Sequence, residues 1–400
     1  MTTIRISATA RAGLLAGLLA VFAAGCGPSA DAGVYDKDLA EKLVAQCANL
    51  REGDLVLITG GAVDVKLLED LAVHVRKLGA FPLVRLASEG VIRRYYDEVP
   101  EKYDSQAPQM NLELANLITA SINISIGLTP GLLADVPAER RAAVAQASTP
   151  VGELLLKRSV RQVNLGNGLY PTEELAELYG MSHSQLADIF WQGVNADYAE
   201  LQTRGEAVKA ALSAGKQLRI THANGTDLRV QIEGRPVFIT DGLISDEEVE
   251  QGGAACQVWL PAGEVFFAPV PGTAEGTVVV DRQFYQGKEI AGLRLTYSAG
   301  RLTSMTAESG LEPLQARYDA AGPGKDLFAI IDIGINPDVE LAPGSRMVAW
   351  MPAGNITVGL GSNTWAGGDN DVDYFMPSFL PGCTLEVDGK VLVEEGVLQL

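Results

Sequence analysis

The sequence predicts an α/β amino-terminal domain, residues 36–205, followed by a strand-rich α+β carboxy-terminal domain, residues 206–400. Two observations favour this division. In the first part, short apolar runs alternate with segments of helical period, which is typical of a parallel sheet with flanking helices. In the second part, tight-turn hairpins follow one another. Hydrophobic residues make up 47% of the chain, which is enough for a sizeable core.

Strands and helices of the first part are predicted from apolar spacing. Residues 55–59 (LVLIT) form a short apolar run that indicates a buried strand. Residues 63–78 place Leu67, Leu71 and Val75 on one helical stripe, which Gly79 ends. The same reasoning predicts strands at 82–86 and 122–126 and helices at 38–50, 137–147 and 182–203.

Hairpins dominate the second part. Residues 216–233 alternate about Asn224-Gly225, which is a strong two-residue turn signal. Two further hairpins are predicted at 293–307, with a turn near Ala299-Gly300, and at 385–393, with a turn at Asp388-Gly389. Apolar strands are predicted at 328–335 and 356–360.

Residues 1–25 have the pattern of a secretory signal peptide. Two arginines precede a short apolar stretch, which is below the length needed to span a bilayer. The small residues before Cys26 resemble the lipobox of bacterial lipoproteins, in which that cysteine is lipidated. Residues 26–35 then form a tether. We therefore expect an exported chain, lipid-anchored to the outer membrane or cell surface. An ordinary signal peptide with a chance cysteine is the alternative.

Charge and cysteine content exclude several classes of protein. The formal net charge is -19, so the surface repels nucleic acid and anionic lipid headgroups. No nucleic-acid partner is expected, and membrane attachment depends on the lipid.

Beyond Cys26, only Cys47, Cys256 and Cys383 remain. They allow at most one disulfide, whose pairing the sequence leaves open.

Carboxylates are better candidates for chemistry than histidines. The three histidines form no zinc-type motif, and no nucleophile elbow or phosphate loop is present. Glu264 stands between Pro-Ala-Gly and an apolar run, which predicts partial burial. Asp371 and Asp373 would share one face of a strand and could converge on a cation. A turn-capping glutamate and an ordinary acidic loop are the alternatives.

Several motifs together resemble the aminopeptidase T family of metallopeptidases. Residues 260–276 (LPAGEVFFAPVPGTAEG) resemble its signature, and NGTDL at 224–228 and IGINP at 333–337 match in order. The similarity extends over residues 36–398. It implies an aminopeptidase T-like fold and a homodimer that encloses a cavity. It also implies removal of amino-terminal residues from peptides by two bridging metals, often zinc or cobalt.

The resemblance assigns metal-ligand positions one by one. It implies that Glu264 and Asp373 are retained ligands. The positions of the second glutamate, of one histidine and of a tyrosine carry Ile330, Thr357 and Thr364, and Asp371 replaces the other histidine. Asp332 could substitute for the second glutamate. The resulting oxygen-only set of Glu264, Asp332, Asp371 and Asp373 suits Ca²⁺ or Mg²⁺ better than zinc or cobalt. An acidic pocket without metal is the alternative.

Two hypotheses about function remain open. The first is an exported aminopeptidase with altered metal chemistry. The second is a pseudo-enzyme that binds a peptide or another small ligand in the family's cavity without cleaving it. The missing ligands favour the second hypothesis for the mechanism, whereas the family resemblance by itself favours the first. A purely structural lipoprotein is a weaker third.

Overall fold

The computed structural model describes residues 38–400. The predicted signal peptide, Cys26 and the tether therefore lie outside the described residues. None of the helices in residues 38–400 combines the length and the hydropathy of a membrane-spanning segment.

The helices and strands of the described residues are numbered in chain order. The helices are α1 (Leu39–Glu41), α2 (Val65–Lys77), α3 (Glu89–Glu98), α4 (Gln109–Leu117), α5 (Ala138–Lys157), α6 (Glu173–Tyr179), α7 (His183–Val194), α8 (Tyr198–Ala214), α9 (Asp246–Gln251) and α10 (Glu312–Ala320). A π-helical segment, Lys42–Cys47, continues α1. The strands are β1 (Leu55–Gly60), β2 (Phe81–Leu86), β3 (Ala120–Ile124), β4 (Arg161–Leu165), β5 (Gln217–Thr221), β6 (Asp227–Gln231), β7 (Phe238–Thr240), β8 (Gln257–Leu260), β9 (Glu264–Phe267), β10 (Glu275–Tyr285), β11 (Lys288–Ser298), β12 (Arg301–Thr306), β13 (Phe328–Gly334), β14 (Ile356–Gly361), β15 (Phe375–Leu380), β16 (Thr384–Val387), β17 (Lys390–Glu394) and β18 (Val397–Leu398).

A parallel sheet organises the first part. Its order is β2-β1-β3-β4-β8, and every neighbouring pair is parallel. The predicted α/β character is therefore confirmed. The last strand, β8, comes from beyond residue 205, so the chain returns to the first sheet after it has begun the second part. The domain boundary near residue 205 stays a prediction.

Two antiparallel sheets form the second part. The larger has the order β12-β11-β10-β6-β5-β16-β17-β18, and it contains all three predicted hairpins. The smaller has the order β15-β14-β13-β9-β7. Residues such as Val265, Ile331 and Val358 on the smaller sheet share one buried core with Ile220 and Leu293 of the larger sheet. The two sheets thus pack face to face around one core, and the predicted strand-rich character of this part is confirmed.

The opposite face of the smaller sheet carries the polar residues. Side chains alternate between the faces of a strand, so Glu264 lies on the other side from Val265, and Asp332 on the other side from Ile331. Thr357 pairs directly with Asp332 and therefore shares its face. This face is the one that positions the candidate site.

One predicted helix is two helices. The single helix expected over residues 182–203 is interrupted between α7 and α8. Asp197 starts α8, because its carboxylate accepts hydrogen bonds from the backbone N–H groups of Ala199 and Glu200. The prediction of one continuous helix was wrong because Asp197 caps a new helix, although the helical spacing of apolar residues continues across it.

Candidate functional site

A cavity of about 610 Å³ opens over the polar face of the smaller antiparallel sheet. Its floor comes from this sheet, and one wall comes from loops and strands of the parallel sheet. The lining residues are Asn167, Thr240, Gln257, Trp259, Glu264, Phe266, Arg317, Asp332, Trp350, Ser362, Trp365, Val372, Asp373, Tyr374 and Phe375.

Glu264 is held at the start of β9 by its glycine neighbour. Gly263 has a φ of +119°, and a Cβ there would lie 2.9 Å from the backbone nitrogen of Asn336. The glycine therefore allows a close approach of two backbones. Its carbonyl accepts a hydrogen bond from the N–H of Ile335, and its own N–H donates to Thr240. These contacts fix the entry into β9 and bury Glu264, as its sequence context predicted.

Asn167 is a functional candidate that sequence reasoning missed. Its Nδ2 donates to Oε1 of Glu264 over 2.8 Å and to the carbonyl oxygen of Pro261 over 3.0 Å. The residue follows β4 at the carboxyl end of the parallel sheet, where open α/β sheets commonly bind ligands. The position of Asn167 directly after a strand was the only sequence signal that it belongs to a site. That signal becomes informative in the structure, where β4 pairs with β8.

Asp332 is the second buried carboxyl of the floor. Its side chain lies diagonally across the β9–β13 pair from Glu264, since Asp332 pairs with Phe266 and Glu264 pairs with Gly334. It is 2% exposed, and its Oδ1 has no hydrogen-bond partner in the described part of the chain. The fully buried Thr357 hydroxyl, on the neighbouring strand, has none there either.

Burial changes the protonation of this carboxyl pair. It raises the pKa of Glu264 to about 7, although the hydrogen bond from Asn167 counteracts the effect. Burial also raises the pKa of Asp332 well above its ordinary value, and the nearby Glu264 carboxyl raises it further. A low-polarity site disfavours two adjacent negative charges. Burial therefore favours the neutral forms of these two carboxyls over a pair of adjacent carboxylates.

Asp371 and Asp373 do not lie on a strand, where the sequence predicted that they would share one face. Asp371 and Asp373 precede β15 in an irregular loop, so the prediction that they share a strand face was wrong. Asn370 holds this loop, because its Nδ2 donates to the carbonyl oxygens of Gly324 and Gly361. Both aspartates are exposed; Asp373 lines the cavity, whereas Asp371 is outside its lining.

Two positions where the family resemblance implies a metal ligand carry a packing residue and a surface residue. Ile330 is fully buried beside Ala268, Ala329 and Ala366. Thr364 is exposed at the start of a single 3₁₀ turn, Thr364–Ala366. An apolar side chain at Ile330 supplies no donor to a cation.

A metal centre does not fit the donors of this cavity. No group of three or more His, Cys, Asp or Glu side chains within residues 38–400 is arranged to hold a metal ion. A two-metal centre needs several ligands on each ion. The two carboxyls of the floor are too few for it, and the metal-ligand roles of Glu264, Asp332, Asp371 and Asp373 stay predictions.

Aromatic rings form the walls of the cavity. Trp365 lies 5.3 Å from Phe266 and 5.7 Å from Phe375 between ring centroids, and Trp350 stacks on Phe375 at 6.3 Å. Trp259 is 44% exposed and Trp365 is 39% exposed, which is unusual for tryptophan. Apolar walls over a few buried polar groups are the usual construction of a small-molecule site.

A second groove of about 930 Å³ adjoins the cavity. The two share the lining residues Thr240, Gln257, Phe266 and Trp365. Acidic side chains line the groove, and burial raises the pKa of one of them, Asp241, to about 6. The shared residues make one continuous surface along which an extended ligand can lie.

Solved structures share this fold. The wild-type AmpT from Thermus thermophilus matches with a TM-score of 0.71 and 19% identity, over 91% of this chain and 98% of that one. The 2,5-dihydroxypyridine dioxygenase from Pseudomonas putida KT2440 matches with a TM-score of 0.60 and 14% identity, over 91% and 96% respectively. A comparison with curated proteins finds no match.

A family model identifies the class of protein to which this fold belongs. The model of the thermophilic metalloprotease family (M29) matches residues 36–321, and the chain belongs to this family. The aminopeptidase T resemblance and the aminopeptidase T-like fold are thereby confirmed. The matched range includes Glu264 and ends before Asp332, Thr357 and Asp373.

Proposed function

We propose that this M29 family member binds a peptide or another small ligand in its aromatic cavity and does not hydrolyse it by metal catalysis. One observation carries the proposal. Among the described residues, no three metal-ligating side chains converge, although the cavity itself is well formed. Ile330 and Thr357 occupy positions where the resemblance implies a glutamate and a histidine.

The shape of the site supports an extended ligand. The cavity of about 610 Å³ continues into the groove of about 930 Å³ past Gln257 and Trp365. The walls offer aromatic faces, and Asn167, Glu264 and Asp332 offer polar contacts at the floor. Such a combination gives affinity through burial and orientation through a few hydrogen bonds.

Metal analysis combined with turnover tests the proposal. The purified full-length chain is assayed for bound metal and for release of amino acids from a peptide panel with added Zn²⁺, Co²⁺, Mn²⁺, Mg²⁺ or Ca²⁺. We expect no stoichiometric metal and no turnover. Peptide binding, followed by tryptophan fluorescence, should persist after dialysis against a chelator.

An active aminopeptidase with altered metal chemistry is the second candidate. It is favoured by the presence of Glu264, Asp332 and Asp373 in the lining of one cavity. Metal-dependent turnover that Glu264→Gln abolishes would establish this candidate and contradict the first. Asp369→Asn is the matched control, because Asp369 is exposed and lies outside the cavity lining.

Export and lipid anchoring at Cys26 are also part of the proposal. They rest on the basic start, the short apolar stretch and the small residues before Cys26. Expression in a bacterial host with labelled palmitate should label the wild-type chain and leave Cys26→Ser unlabelled. Equal labelling of both chains would contradict lipidation at this residue.

A homodimer is proposed from the family resemblance. The edge strand β2 supports it, because apolar side chains are exposed on both of its faces. Phe81 and Leu83 on one face are 53% and 49% exposed, and Leu86 on the other is 61% exposed, so an oligomer would cover apolar surface there. Light scattering of the purified chain should give twice the monomer mass. A monomer across the micromolar range would contradict the proposal.

A further inference from the structure

One face of the parallel sheet is polar where such sheets are usually apolar. Ile58, Ile122 and Val163 lie on the other face, which packs into the core of the first part. Side chains alternate along a strand, so the intervening residues of β3, β4 and β8 share the polar face. They are Ser121, Asn123, Gln162, Asn164, Gln257 and Trp259. Parallel sheets are normally covered by apolar contacts on both faces, so this set points to a role other than packing.

These side chains form two polar rows across the sheet. Each row takes one residue from β3, one from β4 and one from β8, and its members pair directly. The rows are Asn123–Asn164–Trp259 and Ser121–Gln162–Gln257. Neighbouring strands lie about 4.8 Å apart, so each row extends about 10 Å.

The polar rows lie open beside an apolar cover. Leu57, Ile118, Leu155 and Val160 form a small apolar cluster, and Ile118 and Val160 precede β3 and β4. The cluster therefore covers the amino-terminal end of this face. Nearer the carboxyl ends, every member of the rows except Ser121 is half-buried or exposed. Open α/β sheets bind their ligands at the carboxyl ends of the strands.

The polar rows connect two cavities. A small cavity of about 130 Å³ is lined in part by Ser121, Asn123 and Gln162. The main cavity is lined in part by Gln257 and Trp259. Because Gln162 and Gln257 pair directly, the rows lead from the small cavity to the rim of the main one.

Hydrogen-bonding groups without charge make up the polar rows. The chain has a net charge of -19, yet no member of either row is ionisable. Nδ2 of Asn123 donates to Oγ of Ser121 and to Oδ1 of Asn164, over 3.2 Å each, which fixes the centre of the rows. The side-chain amides of Gln162 and Gln257 make no hydrogen bond within residues 38–400. An amide both donates and accepts, so these two offer both kinds of contact to a ligand.

We propose that the polar rows bind a short neutral oligosaccharide, whose hydroxyls bond to the amides of Gln162 and Gln257 and one of whose rings packs on Trp259. Hydroxyls donate and accept as amides do, and the C–H face of a sugar ring suits an exposed indole. An extended peptide fits less well, because it is bound through backbone groups at a sheet edge, whereas the rows offer side chains on a face. The inference goes beyond the proposed function and requires nothing of the carboxyls in the main cavity.

Calorimetry with matched sugars tests the inference on the purified full-length chain. The probes are cellotriose, tri-N-acetylchitotriose, the monosaccharides glucose and N-acetylglucosamine, and the acidic trigalacturonate. We expect a neutral trisaccharide to bind more than about tenfold tighter than its monosaccharide, since only the longer ligand contacts both Gln162 and Trp259. Trigalacturonate should bind more weakly, because the negatively charged chain repels it. The preferred trisaccharide shows whether the ligand is acetylated.

Variants locate the sugar on the polar rows. Gln162→Leu keeps the approximate size of the side chain and should weaken the trisaccharide more than about fivefold, because a hydrogen-bonding amide is lost. Trp259→Ala should weaken it more than about tenfold. The matched control is Gln217→Leu, because Gln217 is an exposed strand residue of the larger antiparallel sheet, and it should bind like the wild type. Thermal unfolding shows that each variant is folded, and Gln162→Ala replaces Gln162→Leu if the latter is not.

The outcomes separate the inference from the proposed function. Absence of binding by both neutral trisaccharides, or unchanged affinity in either Gln162→Leu or Trp259→Ala, would overturn the sugar site and leave the proposed function untouched. Binding of trialanine that Gln162→Leu weakens, without sugar binding, would assign the rows to a peptide and also overturn it. Metal-dependent peptide turnover would overturn the proposed function, whereas sugar binding that Gln162→Leu weakens would still support the inference.

Discussion

Asn167 donates a hydrogen bond from Nδ2 to Oε1 of Glu264 over 2.8 Å, and the two residues belong to different sheets. Asn167 follows the parallel strand β4, whereas Glu264 begins the antiparallel strand β9. A residue of the first part thus orients the central carboxyl of the second. The cavity exists only where these two sheets meet.

Removal of this amide should raise the pKa of Glu264 further. Asn167→Gly deletes the donor and tolerates the positive φ of 39° at this position. The hydrogen bond lowers the pKa of Glu264, so its loss shifts titration upward. Infrared titration of the carboxyl band measures the shift. The exposed amide of Asn111, which accepts from Arg85, provides the control variant Asn111→Gly; an equal shift there would contradict the assignment.

Stability should decrease as the pH rises from about 4.5 to about 7. Glu264 has an ordinary pKa of 4.5 and a folded-state pKa of about 7. Between these values the folded chain holds a proton that the unfolded chain has released, so deprotonation favours unfolding, by roughly 1 kcal/mol per pH unit for one group. Asp332 and Asp241 act in the same direction.

Urea unfolding at pH 5 and pH 8 measures this dependence. Glu264→Gln cannot ionise, so it should reduce the difference between the two free energies of unfolding. The exposed Asp369→Asn should leave the difference as in the wild type. A wild-type chain that is more stable at pH 8 than at pH 5 would show that other groups dominate.

Thr357→Val should stabilise the folded chain by about 1 kcal/mol. The Thr357 hydroxyl is buried without a partner in the described structure, and valine has nearly the same shape. The matched control is Thr226→Val. Thr226 is also buried, but its hydroxyl accepts from the N–H of Val279 and bonds to Asn224, so its loss should cost about 1–2 kcal/mol. Chemical denaturation compares the two, and effects of the same sign would contradict this explanation.

Gly263→Ala should destabilise the chain by more than about 3 kcal/mol. A Cβ at Gly263 would lie 2.5 Å from Cβ and 2.9 Å from N of Asn336, and the φ of +119° is unfavourable for alanine. Gly389 also has a positive φ, +81°, but its added Cβ would meet nothing within 4 Å. Gly389→Ala should therefore cost only about 1 kcal/mol. Thermal unfolding separates the two variants, and equal losses would show that crowding is unimportant.

Much of the secondary structure followed from local patterns. The hairpin about Asp388-Gly389 was predictable because both residues adopt the positive φ, 49° and 81°, of a tight two-residue turn. The hairpin about Asn224-Gly225 is also present, although a longer loop, residues 222–226, joins its two strands. The helix predicted over residues 182–203 failed because Asp197 caps a new helix inside an apolar period. Asp371 and Asp373 were misplaced because contacts of Asn370 with distant residues shape their loop.

The sequence by itself determined that the chain has a parallel α/β part and a strand-rich part, and that Glu264 is buried. The spacing of apolar residues and the residue types that form turns are local properties. Each can therefore be recognised within one short segment of the chain. Only the tertiary structure decided that Asn167 contacts Glu264, that Asp332 faces Thr357, and that three of the four tryptophans gather around one cavity. These relations join residues from about 15 to about 100 positions apart along the chain. They arise when whole sheets pack, and no local pattern encodes them.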